Sequence, residues 1–202
     1  MTAIQKRRND IYSVYIDGEH AFDVDAELLL RLGFREGDLI DDETEAKARR
    51  EAELVAAKKR AWRLLAVRPR TRWELERRLQ EAGYQKSVVA QVCQRLEELG
   101  YLDDEAFAKS WVDAKIHLKP MGARRLALEL RQKGVSQETA QRAIEKITPV
   151  QEREWAYDLA SQRLGRLKHL PKEVAQRRLA GYLQRRGFRH DVIRWVIATL
   201  LP

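Results

Sequence analysis

The sequence predicts a mainly α fold: three tandem three-helix, helix-turn-helix-like repeats forming an elongated curved array, preceded by a small N-terminal β-hairpin plus helix element. Three observations predict it. First, one unit is written three times. Around Gly83, Gly134 and Gly187 the chain reads Leu79-x-x-x-Gly83-Tyr84, Leu130-x-x-x-Gly134-Val135 and Leu183-x-x-x-Gly187-Phe188. Leu75, Leu126 and Leu179 stand eight residues before each glycine, and Val92, Ala143 and Val196 nine after it. A unit repeated at about fifty residues is one helical module copied in tandem. Second, Asp17-Gly18 separates Ile11–Ile16 from the β-prone run 20–24. Asp-Gly supplies the positive φ at both central positions that a type I′ hairpin turn needs. Third, residues 41–66 hold no proline or glycine, and Leu54, Ala57, Ala61, Leu64 and Leu65 recur at helical spacing.

Each element then follows in order. The hairpin packs on a short helix over 26–32 that stops at Gly33; it serves either as a docking element or as a stabilising cap. The long helix over 41–66 begins with a charged, alanine-rich half, read as a solvated connector, and ends near Arg68-Pro69. Thr71-x-x-Glu74 is a capping box opening the next helix, and Ser87 is positioned to cap the third. Asp103 or Asp104 caps the first helix of the second module, which Lys119-Pro120-Met121-Gly122 breaks. Thr148-Pro149-x-Gln151 sets the start of the third module, and Leu170-Pro171 the start of its second helix. The resulting division is 1–40, 41–102, 103–147 and 148–202. The residue after each repeat glycine is expected to turn inward. Cys93, in register with Ile144 and Ile197, is expected in the core, as are Trp62, Trp111, Trp155 and Trp195. Trp73 is expected to be partly exposed.

Composition narrows the function classes. The 202 residues are 44% apolar, enough for packed cores. No run approaches the roughly 18 apolar residues of a membrane span, and the polar first ten residues do not read as a signal peptide. One cysteine fits a cytoplasmic protein without a disulfide framework. His20, His117, His169 and His190 are scattered, so no metal is expected. No phosphate-binding glycine loop or activated nucleophile is present in the pattern, so neither cofactor nor enzymatic activity is expected.

Charge points to a polyanion. The net charge is +8. Residues 1–50 carry 8 basic and 12 acidic side chains, whereas residues 151–202 carry 11 and 5. A basic array fits either nucleic acid or an acidic protein surface. The candidate contact residues are Arg70, Arg72, Arg124, Arg125, Arg177, Arg178, Arg185 and Arg186. Arg125 and Arg178 are register-equivalent, both nine residues before their glycine. Aromatic residues are not interleaved with these arginines, so base-specific recognition has little support.

The stretch Leu99-Gly-Tyr-Leu-Asp-Asp-Glu-Ala-Phe-Ala108, with Arg70-Thr71-x-x-Glu74-Leu75 before it and Gly122-x-x-x-Leu126-x-x-x-Leu130-x-x-Lys133-Gly134-Val135 after it, resembles the RecX family of recombination regulators. The resemblance covers about residues 55–202. It implies a non-enzymatic modulator that binds the RecA recombinase and its filament on single-stranded DNA. It also implies that filament growth is blocked or disassembly promoted, lowering RecA's ATPase, recombination and SOS co-protease activities. A monomer contacting RecA, and single- or double-stranded DNA besides, is the expected arrangement. The alternative is a stand-alone DNA-binding helical protein that contacts phosphates.

Overall fold

The computed structural model describes residues 2–7, 10–118, 120–167 and 169–202. Lys119, part of the expected helix break, lies outside them. The chain forms two compact units, one of Met1–Pro69 with Leu75–Leu102, the other of Arg70–Glu74 with Asp103–Pro202. The fold is mostly helical, with a small sheet at its N-terminal end.

The first unit begins with an antiparallel sheet in the order β1 (Thr2–Lys6), β2 (Ile11–Ile16), β3 (Glu19–Asp25). The expected hairpin is present, with Asp17 at φ 49° and Gly18 at φ 84°. β1 is an addition to it. Its residues carry no strong strand pattern of their own. They are held by pairing with β2, Thr2 opposite Ile16 and Ile4 opposite Val14, and by Thr2 Oγ1 donating to the Asp38 carbonyl at 2.8 Å.

One face of the sheet packs on α1 (Ala26–Leu32) and α2 (Asp42–Val67). The expectation of a solvated connector fails here. Ala48 and Ala52 are buried among Val14, Phe22, Val24 and Leu28. Four residues apart, they lie on one face of α2. Their small side chains let the helix backbone approach the sheet, while the charges around them stay in water. Farther along α2, Ala57 and Ala61 enter a second core with Leu75, Leu79, Val88, Val89, Val92, Cys93 and Leu96. This core is completed by α3 (Arg72–Glu81) and α4 (Lys86–Glu98). Gln85, not Ser87, is the N-cap of α4, and the Gln85 N–H donates to Glu53 Oε1 at 2.5 Å. Trp62 is not a core residue either: it is 41% exposed and sits edge-on to Tyr101.

The second unit holds α5 (Asp104–Leu118), α6 (Ala123–Gln132), α7 (Gln137–Ile144), α8 (Pro149–Leu164), α9 (Lys172–Arg185) and α10 (His190–Leu200). They enclose two further cores around Leu126 and Leu130, and around Leu179, Leu183 and Phe188. Helix one of each module contributes small residues: Ala57 and Ala61, Ala108 and Val112, Ala156 and Ala160. Asp103 caps α5 by accepting from the Ala106 N–H, and Asp104 instead accepts from the Arg72 N–H at 2.9 Å. Thr148, Pro149 and Gln151 form the expected capping box with proline at the helix start.

The three repeat glycines share one geometry. Gly83, Gly134 and Gly187 have φ of 91°, 83° and 81°. The residue after each donates its N–H back to the leucine four residues before the glycine, at 3.1–3.3 Å: Tyr84 to Leu79, Val135 to Leu130, Phe188 to Leu183. That is the six-to-one bond of a Schellman cap. It turns Val135 and Phe188 into the core and sets Tyr84 against it. The surroundings of the glycines differ. A Cβ on Gly83 would meet nothing within 4 Å, one on Gly134 would stand 2.2 Å from Trp73 Cβ, and one on Gly187 would stand 2.3 Å from Arg125 Cβ.

This architecture makes two testable predictions. Gly83→Ala should lose only the left-handed strain, about 1–2 kcal/mol. Gly187→Ala adds a collision of the new Cβ with the Arg125 Cβ and N, and should lose about 3 kcal/mol or more. Equal losses in urea unfolding would contradict the close approach. The second concerns Asp25, which caps α1 by accepting from the Leu28 N–H at 2.7 Å and pairs with Lys59 of α2. Lys59 first, then that N–H, hold its carboxyl below the ordinary 3.8. A depressed folded value means stabilisation that is complete above the unfolded value and lost as pH falls through the folded one. Asp25→Asn should therefore destabilise the protein at neutral pH, and the gap from the parent should close on acidification below about pH 4. A gap independent of pH would contradict the ion pair's contribution.

Candidate functional site

The fold sorts the basic residues into those that hold structure and those that face outward. Lys59 is used by Asp25. Lys133 is used most heavily. Its Nζ lies 3.0 Å from Glu74 Oε1 and 4.3 Å from the centroid of the Trp111 ring, and its carbonyl accepts from Thr71 Oγ1 at 2.6 Å. Thr71 is fully buried, and its Oγ1 also accepts from the Glu74 N–H at 3.1 Å, the first half of the expected capping box. Arg70 and Arg72 start this same turn; both are half-buried and engaged within the protein.

The second and third modules meet through backbone. The Gly122 N–H donates to the Arg186 carbonyl at 3.0 Å, and a Cβ on Gly122 would stand 2.2 Å from the Gly187 carbonyl atoms. Beside this contact lies Glu152, 1% exposed, whose Oε1 accepts from the Ala123 N–H at 3.2 Å and whose Oε2 accepts from Arg189 Nε at 2.8 Å. A buried carboxylate is tolerable only with such partners.

Of the remaining sequence candidates, Arg124 and Arg125 are exposed on α6, and Arg125 Nε pairs with Glu129 at 3.2 Å. Arg186 is half-buried, its guanidinium 5.7 Å from the centroid of the Tyr182 ring. Arg177, Arg178 and Arg185 are exposed along α9. They are brought together with Arg163, Leu167 and Gly181 around a cleft of about 330 Å³. Arg163 is the member that sequence reasoning missed. It arrives from α8, and no local spacing ties it to the arginines of α9. Trp195, expected in the core, is 41% exposed, with Arg153 at 5.7 Å from its ring centroid. Trp73 is 43% exposed, as its position at a helix start implied. Among the described residues no cluster of three His, Cys, Asp or Glu side chains is arranged to hold a metal, and no helix is long and apolar enough to cross a membrane.

Comparison with known proteins matches the same three modules. Residues 57–96, 103–144 and 151–197 match the models of the first, second and third three-helix domains of RecX. The chain is 41% identical over 149 residues to the regulatory protein RecX of Mycolicibacterium smegmatis, covering 72% of this chain and 79% of that one. It is 31% identical over 185 residues to the regulatory protein RecX of Caldanaerobacter subterraneus, covering 92% and 91%. A crystal structure of a regulatory protein RecX superposes with a TM-score of 0.77 at 25% identity, over 97% of this chain and 98% of that one.

Arg189→Met would strand the buried Glu152 carboxylate and should destabilise the second unit by about 3–5 kcal/mol. Urea unfolding checks it; a loss under about 1 kcal/mol would mean that the pair is not a structural tie.

Proposed function

The chain belongs to the RecX family, and from that premise we propose that it is a non-enzymatic regulator that binds the RecA recombinase and its filament on single-stranded DNA. It lowers RecA's activity in recombination, ATP hydrolysis and SOS co-protease function by blocking filament extension or promoting disassembly. It acts in the cytoplasm, as a monomer.

The observation that carries this reading is the array itself: three family modules in series on one chain. A filament offers the same surface again and again. Modules in series can engage neighbouring copies, so that each later contact forms at a high effective concentration and weak contacts add to a strong one. Outward-facing arginines at equivalent positions of helix two, Arg124 and Arg125 on α6 and Arg177 and Arg178 on α9, supply the surface for an acidic or phosphate-bearing partner. Arg70, Arg72 and Arg186 belong to the same basic set, but their internal engagement makes them supports rather than principal contacts. A second reading, direct phosphate contact with DNA, is favoured by the arginine cleft on α9.

Titration into RecA's single-stranded-DNA-dependent ATPase tests the proposal. Inhibition is expected at less than one molecule per RecA subunit. Charge reversal at Arg124, Arg125, Arg177 and Arg178 should weaken it by about tenfold or more with helicity unchanged, since each charged contact contributes about 1.5–3 kcal/mol. Unchanged ATPase and filament assembly at excess protein would overturn the regulator reading; full inhibition by the reversed variant would overturn the surface.

A further inference from the structure

The second helices of the three modules can be compared position by position, because their glycines fix the register. Ten, nine, six and two residues before the glycine, α3 carries Trp73, Glu74, Arg77 and Glu81; α6 carries Arg124, Arg125, Leu128 and Gln132; α9 carries Arg177, Arg178, Gly181 and Arg185. On α3, Arg77 and Arg78 both pair with Glu81, at 2.7 and 3.2 Å. On α6, Arg125 pairs with Glu129 at 3.2 Å. On α9, among the described residues, no carboxylate oxygen lies within 4.0 Å of the side-chain nitrogens of Arg177, Arg178 or Arg185, nor of Arg163 beside them. Like charges gathered without a counter-charge repel one another, and an anion in the cleft removes that repulsion.

The floor of the cleft is shaped for an occupant. Gly181 sits inside a helix, where glycine is about 1 kcal/mol worse than alanine, and the equivalent residue of α6 is Leu128. The missing side chain leaves room for Arg185, whose guanidinium nitrogen lies 3.4 Å from where a Cβ would stand. Arg177, Gly181 and Arg185 are spaced four apart and form one stripe along α9, about 12 Å long at 1.5 Å per residue. Arg163 closes the cleft from α8, held over the Tyr182 ring at 5.5 Å from its centroid.

We propose that this cleft is a phosphate-binding site that grips the sugar–phosphate backbone of a nucleic-acid strand through Arg177, Arg178 and Arg185, with Arg163 as its far wall. It rests on the filament-regulator reading for its setting, and adds that the third module holds the strand directly. The guanidinium fork matches phosphate oxygens two at a time, and a stripe of forks suits a chain of evenly spaced charges. A protein partner draws most of its affinity from anchors seated in well-packed central pockets. The apolar side chain lining this cleft, Leu167, is 6% exposed and offers none. Tyr182 is taken by Arg163 and Arg186, so it is not a stacking platform for a base. The site therefore reads backbone, not sequence.

The test uses the full chain and anisotropy of fluorescein-labelled strands: a short oligothymidylate, and an abasic deoxyribose-phosphate strand of equal length. Wild type should bind both alike. Arg177→Gln with Arg178→Gln and Arg185→Gln should weaken both by about tenfold or more and flatten the dependence of log affinity on log salt by about 2, at roughly 0.7 per lost phosphate contact. Gly181→Leu keeps every charge and raises helix propensity; it should also weaken binding, by filling the floor. Wild-type affinity in the triple variant, a strong preference for the base-bearing strand, or equal competition by polyglutamate of matched charge would each overturn the site. RecA ATPase inhibition, measured in parallel on wild type, separates the two ideas. Its absence with strand binding intact sinks the regulator reading alone; strand binding unaffected in the triple variant sinks the cleft alone.

Discussion

Where the second and third modules meet, a side chain on Gly122 would strike the Gly187 carbonyl, and one on Gly187 would strike Arg125. Gly122 donates its N–H to the Arg186 carbonyl at 3.0 Å, and the chain reverses at the next residue, Gly187, with φ 81°. The reversal is the Schellman cap that ends helix two and turns Phe188 inward. One glycine thus closes a helix, plugs a core and offers a flat backbone surface to the preceding module. Glu152 secures the same place by bonding the Ala123 N–H and Arg189. Because backbone meets backbone, the joint tolerates almost no slippage, and the outward faces of α6 and α9 keep a fixed relation within their unit.

That fixed relation gives the charge pattern its meaning. A long, basic chain is weak evidence for any particular surface, since ion pairs absorb many of its cations. Lys133 shows this best: it stands in the family-like run Lys133-Gly134-Val135, yet its ammonium is spent on Glu74 and the Trp111 ring. Arg125 pairs with Glu129, which Lys115 shares. Among the outward cations, Arg177, Arg178 and Arg185 of α9 meet Arg163 of α8 around one cleft. Closely packed modules that carry outward arginines suit the proposed grip on a regular polymer, because repeated weak contacts add.

The parts legible in the sequence are those fixed by local geometry. Gly83, Gly134 and Gly187 had to adopt positive φ, and the leucines eight and four residues before them had to face a core, because helix period and chirality leave no alternative. The Asp17-Gly18 turn and the Thr148 capping box are equally local. β1 was not legible, because an edge strand draws its stability from the pairing with β2 rather than from its own residues. The burial of Ala48 and Ala52 was hidden by the charges around them, and the exposure of Trp62 and Trp195 by the apolar character of their side chains. In the candidate site the α9 arginines were visible as a run, whereas Arg163 and the pairing of Arg125 with Glu129 depend on where helices and side chains come to rest.

Electron microscopy of RecA filaments on single-stranded DNA, formed with and without this chain, tests the central claim most directly. The account predicts density for the chain along the filament, contacting successive RecA subunits, and a shortened length distribution. Bare filaments of unchanged length at saturating protein would contradict it.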